Sequence, residues 1–275
     1  MDLARLLLSQ AALWALATCR LGGFVLTSPF PGENVPTSQR VGLVVVLAWA
    51  ASVNAPTAHL PAGIGAALLG SAAFEVAIGV LLGVTFRFVY AAAEVLGQSL
   101  AQGTGLSSPG VFNPTLGTSD TPIGRMVTLL AMLLALAMGA HRVALGAVLS
   151  SFHALPLGAG ADLGAAAGPL VNLAANTIAV GVRLSLPVTA VALVVQLALA
   201  MIARAAPSLQ IFNVGLGITL GAGAAVLLTV LPDLGLGLGD HFDSLRAWMD
   251  QVLSAVAVHD IASAASTAAS AAASP

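Results

Sequence analysis

The chain has 275 residues, 58% of them hydrophobic and only 7% charged, against roughly 45–50% and about 25% in soluble domains. Such a residue set cannot clothe a water-facing surface, so a soluble fold is excluded. All nine basic residues are arginine; without lysine there is neither a P-loop nor a pyridoxal site, and a formal charge of −2 leaves no basic footprint for nucleic acid.

The first apolar stretch, 3–26, is interrupted by Arg20. Leu16-Ala17-Thr18-Cys19 has the look of a lipoprotein cleavage box, but Asp2 accompanies Arg5 in the flank and the apolar run continues to Leu26, which predicts an uncleaved membrane helix. Cys19, the single cysteine, permits no internal disulfide and no cysteine zinc site. Ser28 to Pro36 is a rigid turn whose prolines stop the first helix and aim the second. Apolar stretches follow at 41–55 and 62–96, the latter carrying Glu75, Arg87 and Glu94. Glu75 lies about 120° around the helix from Arg87, and the sequence offers it no evident partner.

Gly103 to Pro122 is a polar connection too long for a simple turn, and Gly103, Gly105, Pro109, Asn113, Pro114 and Pro122 mark it as a candidate pore or closure loop. The stretch 125–150 is interrupted by His141 and Arg142. Three charge-free stretches come next, 163–182, 184–203 and 205–232, bounded by Asp162, Arg183, Arg204 and Asp233. About 20 apolar residues cross a hydrocarbon core of about 30 Å, and no barrel-like alternation is seen. The prediction is an all-α polytopic membrane protein of six or seven apolar helices. Its main domain covers 1–239. Residues 240–260 form an amphipathic helix with Phe242, Leu245, Met249, Val252 and Val256 on one face, suited to a membrane surface or a partner. Residues 261–275, almost wholly Ala and Ser, form a disordered tail, and everything after Ser254 reads as expendable.

Candidate sites are few. No two histidines pair at helical spacing, no Gly-x-Ser-x-Gly elbow occurs, and Gly63-Ile64-Gly65 and Gly215-Leu216-Gly217 lack the third glycine of a dinucleotide loop. No catalytic residue, metal site or cofactor is expected. Arg87, Tyr90, Glu94 and Gln98 form one helical stripe, with Gln102 four residues on; a mid-bilayer charge costs at least about 2.5–3.5 kcal/mol, so the stripe is read as buried against a partner or facing a pore, the alternative being a stripe near the interface with its charges in water. Gly79-x-x-x-Gly83 and Gly217-x-x-x-Gly221 allow close helix contact, generic or between subunits.

In order along the chain, further landmarks accumulate: Arg20, Pro29-Phe30, Val35-Pro36 with Arg40, Glu94 to Gln98, Gly103-Thr104-Gly105 and Asn113-Pro114. After these come Gly139-Ala140-His141, Ser151-Phe152, Pro156-Leu157-Gly158, Leu186-Pro187, and the run from Ala203 to Gly215 that contains Arg204, Pro207 and Phe212. The series resembles the FliR family of flagellar export-gate proteins and its injectisome counterpart, SctT, over residues 16 to 223. The Arg-Ala-Ala-Pro form leans flagellar. Departures are Leu216-Gly217-Ile218-Thr219 where the family continues with Phe-Pro and a lysine, and Gln196 where it often has asparagine.

The resemblance implies a non-enzymatic subunit of the type III protein export gate in the bacterial inner membrane, within a flagellar basal body or injectisome base. It implies FliP-like and FliQ-like partners, with FlhB-like and FlhA-like export proteins nearby and unfolded exported proteins as cargo. It also implies kinked helical hairpins buried against those partners; Gly79, Gly83, Arg204, Pro207, Phe212, Gly217 and Gly221 are candidate helix-packing or subunit contacts. The rival reading is a stand-alone small-solute transporter using Arg87, Glu94 and Gln196; inverted repeats would support it, and no convincing internal duplication is found.

Overall fold

The computed structural model describes residues 3–30, 35–54, 66–103, 122–158, 162–205 and 211–257. Among these, the architecture is entirely helical apart from turns and one isolated bridge residue at Leu157. Helix α1 is Leu3–Thr27; it runs unbroken through Cys19 and Arg20 and stops where Pro29 removes a backbone donor. Helix α2, Thr37–Asn54, starts from Pro36, whose carbonyl accepts the Gln39 and Arg40 N–H groups. Helix α3, Ala66–Gly103, is 38 residues long.

Helices α4, Pro122–Ala137, and α5, Ala140–Ala154, divide the stretch that the sequence presents as one. The break is local: Gly139 sits at φ 77°, a left-handed conformation that only glycine adopts cheaply, and its N–H closes onto the Leu136 carbonyl. In the opposite sense, 163–182 and 184–203 fuse. A 3-10 turn, Leu163–Ala166, capped by the Asp162 carboxylate on the Gly164 N–H at 2.8 Å, leads directly into α6, Ala167–Ala205. Arg183 therefore ends nothing, and Pro187 is also inside the helix. Helix α7 is Ile211–Asp243, with Pro232 inside it, and α8 covers 245–257. One split and one fusion offset each other, so the described residues contain seven apolar helices and one amphipathic one.

Leu68–Leu100, Leu163–Ala205 and Gly221–Ala257 are long and apolar enough to cross a membrane. The broken pair Leu129–Ala137 and Ala140–Ala154 makes a fourth if counted as one span. This is an all-α polytopic membrane protein.

The chain divides into two compact units. Unit 1 comprises residues 1–89, 140–174 and 244–275. Its core gathers Leu16, Leu21 and Phe24 of α1, Leu82 and Phe86 of α3, Val148 and Phe152 of α5, and Leu245, Met249, Val252 and Val256 of α8. The face of α8 foreseen for a membrane surface or a partner thus has cover within the chain: Val252, Leu253 and Val256 line a small apolar gap with Ile78, Leu81, Leu82, Leu155 and Leu163. Val256, two residues beyond Ser254, is only 3% exposed, so a truncation after Ser254 removes a buried side chain. Unit 2 comprises 90–139 and 175–243. Its buried positions are largely small, including Ala92, Ala93, Ala131, Ala135 and Ala192, and Gly181 brings α6 directly onto the Ala92 carbonyl and Val95 of α3.

Candidate functional site

Among the described residues of unit 1, one ion pair is completely buried. Arg20 of α1 and Glu75 of α3 are 0% and 1% exposed, with Arg20 Nε donating to Glu75 Oε2 at 2.6 Å. In so dry a place each charge needs every partner it can find. Arg20 Nη1 donates to the carbonyl and the hydroxyl of Ser151 at 3.0 and 3.2 Å, and Nη2 donates to the Leu155 carbonyl at 2.9 Å. The Phe152 ring lies 4.6 Å from the guanidinium carbon, a cation–π contact. The Gly158 N–H donates to Glu75 Oε1 at 3.2 Å.

The arrangement follows from helix physics. The carbonyls of the last turn of α5 have no partners within the helix, and the helix dipole makes this end negative. The Arg20 guanidinium, with five donors in a planar fork, reaches the Ser151 carbonyl of that turn, which also accepts the Leu155 N–H at 2.8 Å, and the Leu155 carbonyl just past the helix end. Gly158, at φ 80°, turns the chain after Pro156 so that its N–H faces the carboxylate. Three helices and a turn are tied together by one arginine and one glutamate.

The crossing of α1 and α3 that brings the pair together depends on glycine. A Cβ on Gly79 would overlap the Arg20 carbonyl, one on Gly83 would overlap the Thr27 hydroxyl and the Phe24 carbonyl, and one on Gly23 would overlap the Val76 carbonyl. Thr27 Oγ1 adds a hydrogen bond to Val80 O at 3.3 Å. Gly79 and Gly83 therefore serve a contact inside the chain. Among the described residues, a Cβ on Gly217 or Gly221 would meet nothing within 4 Å.

The stripe on α3 is distributed differently: Tyr90 is buried, Glu94 half-buried, and Arg87 and Gln98 are exposed. Among the described residues no ion pair links Arg87 to Glu94. Arg204 is exposed at the end of α6. Gly103 ends α3 and Pro122 begins α4, whereas Gly105, Pro109, Asn113, Pro114 and Pro207 lie outside the described residues, as does the tail 261–275. Phe212 belongs to α7. The described residues contain no group of three or more His, Cys, Asp or Glu placed to hold a metal.

In the sequence Glu75 has no evident partner and Arg20 reads as an interruption of an apolar run; the fold brings the two together. The sequence does carry a signal: two opposite charges set deep in long apolar helices each need a counter-charge. Ser151-Phe152 and Pro156-Leu157-Gly158, noted only as landmarks, contribute to that pair's surroundings.

Fold and site together define a helical membrane protein whose polar centre is a structural clamp. The family model described as "Bacterial export proteins, family 1" matches residues 11–245, and the chain belongs to that family. It is similar to the flagellar biosynthetic protein FliR of Escherichia coli K12, 29% identical over 227 residues that cover 82% of this chain and 86% of the relative. The corresponding figures for FliR of Caulobacter vibrioides are 27% over 239 residues, 86% and 95%, and for FliR of Bacillus subtilis 26% over 250 residues, 88% and 95%.

Proposed function

We propose that this chain is a subunit of the type III protein export gate of a bacterial flagellum, embedded in the inner membrane and passing unfolded proteins without catalysing a reaction. Family membership over residues 11–245 carries this reading, and the shape of the apolar surface supports it. Helices α3 and α6 are 38 and 39 residues long, so each extends about 57 Å, nearly twice the hydrocarbon thickness of about 30 Å. Large side chains such as Val171, Ile178, Leu193, Leu197 and Met201 stand exposed along α6. A bilayer alone cannot cover such a length, whereas FliP-like and FliQ-like helices can, with FlhB-like and FlhA-like proteins completing the apparatus. The exposed Arg87 and Gln98 and the open faces of Gly217 and Gly221 then meet partners or the conduit.

Gly103 to Pro122 closes the conduit at rest: its glycines allow close approach, and its prolines limit collapse. Deleting Ser107 to Thr118 raises ion conductance through reconstituted gates in planar bilayers. Unchanged conductance with normal assembly would remove the closure role.

A further inference from the structure

Arg183 is the anomaly of α6. Its side chain is exposed and, among the described residues, makes no hydrogen bond or ion pair. It lies about 24 Å from the start of the helix and about 33 Å from its end, within the most apolar of the membrane-crossing stretches, mean hydropathy 2.3. Pro187 has no N–H. The Arg183 carbonyl therefore lacks its usual helical donor four residues on, so a cation and a carbonyl without its α-helical partner occur at one level of the helix.

The buried side of α6 in unit 2 runs through Thr177, Gly181, Ser185, Val188 and Ala192. At 100° per residue, Arg183 points roughly opposite to that side, in line with Asn176, Ala179, Ala190 and Leu197. This outward line is flanked by exposed Leu186, Leu193 and Val194.

Three placements in a bilayer can be compared. With Arg183 at mid-depth, the bare charge costs at least about 2.5–3.5 kcal/mol, and the freed carbonyl adds to this. With the bilayer over 184–203, Arg183 reaches an interface, but Ile178 and Val182 stand bare in water. With the bilayer over 163–182, the same fate falls on Leu186, Leu193 and Leu197. Lipid and water cannot together satisfy both the charge and the apolar surface on either side of it. A protein helix can, through apolar contacts along its length and one anionic group at the arginine's level. A water-filled path fits poorly, because the residues around Arg183 on this line are Ala179, Leu186 and Ala190.

We propose that the outward face of α6 around Arg183 is a docking surface for an apolar helix of a different subunit of the same assembly, and that this helix presents an Asp or Glu carboxylate to the Arg183 guanidinium. Ala179 and Ala190 permit close approach on both sides of the pair. The inference rests on the gate reading given above, since it requires an assembly.

The test places a photocrosslinking amino acid at Ala179 or Leu186 of the full chain, co-expressed with the membrane subunits of its own export apparatus. The expected product joins α6 to an apolar segment of a different subunit, with an Asp or Glu within one helical turn of the crosslink. Arg183→Glu should then lower the yield of purified assembly at least about ten-fold, as an unpaired buried charge does, and replacing that acid by Arg should restore it. Accessibility gives an independent arm. Arg183→Cys on a Cys19→Ser background should resist a membrane-impermeant thiol reagent in any assembled complex. Crosslinks to lipid, to a second copy of this chain or to an exported protein would overturn the proposal, as would rapid labelling or wild-type assembly by Arg183→Glu. Failure of the wild-type chain to join any assembly would instead defeat the gate reading.

Discussion

At residue scale, the Arg20–Glu75 pair dominates unit 1. Burying two charges stabilises little by itself; removing one of them is the expensive event, at about 3–5 kcal/mol. Glu75→Gln should therefore lower the thermal unfolding temperature of the detergent-solubilised protein and its cellular level. Arg20→Met combined with Glu75→Leu should recover part of that loss, because neither charge is then stranded. Recovery should be incomplete, since the Leu155 carbonyl loses its Arg20 donor and the Ser151 carbonyl keeps only the Leu155 N–H. Arg20→Lys should behave as a loss, because an ammonium cannot span Glu75 and both carbonyls as the fork does. Wild-type stability of Glu75→Gln would mean that water reaches the pair. The sequence shows both residues plainly but not their meeting, which spans a separation of 55 positions along the chain and depends on how α1 and α3 cross.

The helices were legible to different degrees. Charge-free runs locate the apolar helices, because burial in lipid or protein excludes unpaired charge whichever way the chain folds. Their ends were less legible. Arg183 reads as a boundary yet lies inside α6, since an arginine is a good helix former and its exposed side chain does not disturb the backbone. Gly139 reads as one more glycine in an apolar run, and its left-handed φ ends α4. In α8 the periodicity identified the buried face, but nothing local says what covers it. Truncation after Ser254 removes the buried Val256 and should destabilise the chain measurably, whereas truncation after Ala257 should leave unfolding temperature and gate assembly unchanged. Met249→Ala, at a position 0% exposed, should cost about 2–5 kcal/mol. Small residues separate internal packing from assembly in the same way. Gly79→Val should prevent folding of unit 1 because the Arg20 backbone cannot yield. Gly217→Leu should leave the isolated chain as stable as wild type and reduce the yield of the complex.

At the scale of the whole molecule, the two units present contrasting surfaces. Unit 1 has an ionic clamp and a core of large side chains, whereas unit 2 relies on small ones and leaves long apolar helices bare. On the gate reading, that surface, Arg183 and the exposed Arg87 are completed by other subunits. Composition alone reveals the membrane; the ordered landmarks reveal the export family; neither reveals which faces remain open. The central claim is therefore one about company, and native mass spectrometry after co-expression with the FliP-like and FliQ-like proteins of the same source tests it most directly. The account predicts a hetero-oligomer containing one copy of this chain with both partners, and poor accumulation of the chain expressed alone. A stable monomer or homodimer that ignores both partners would contradict it.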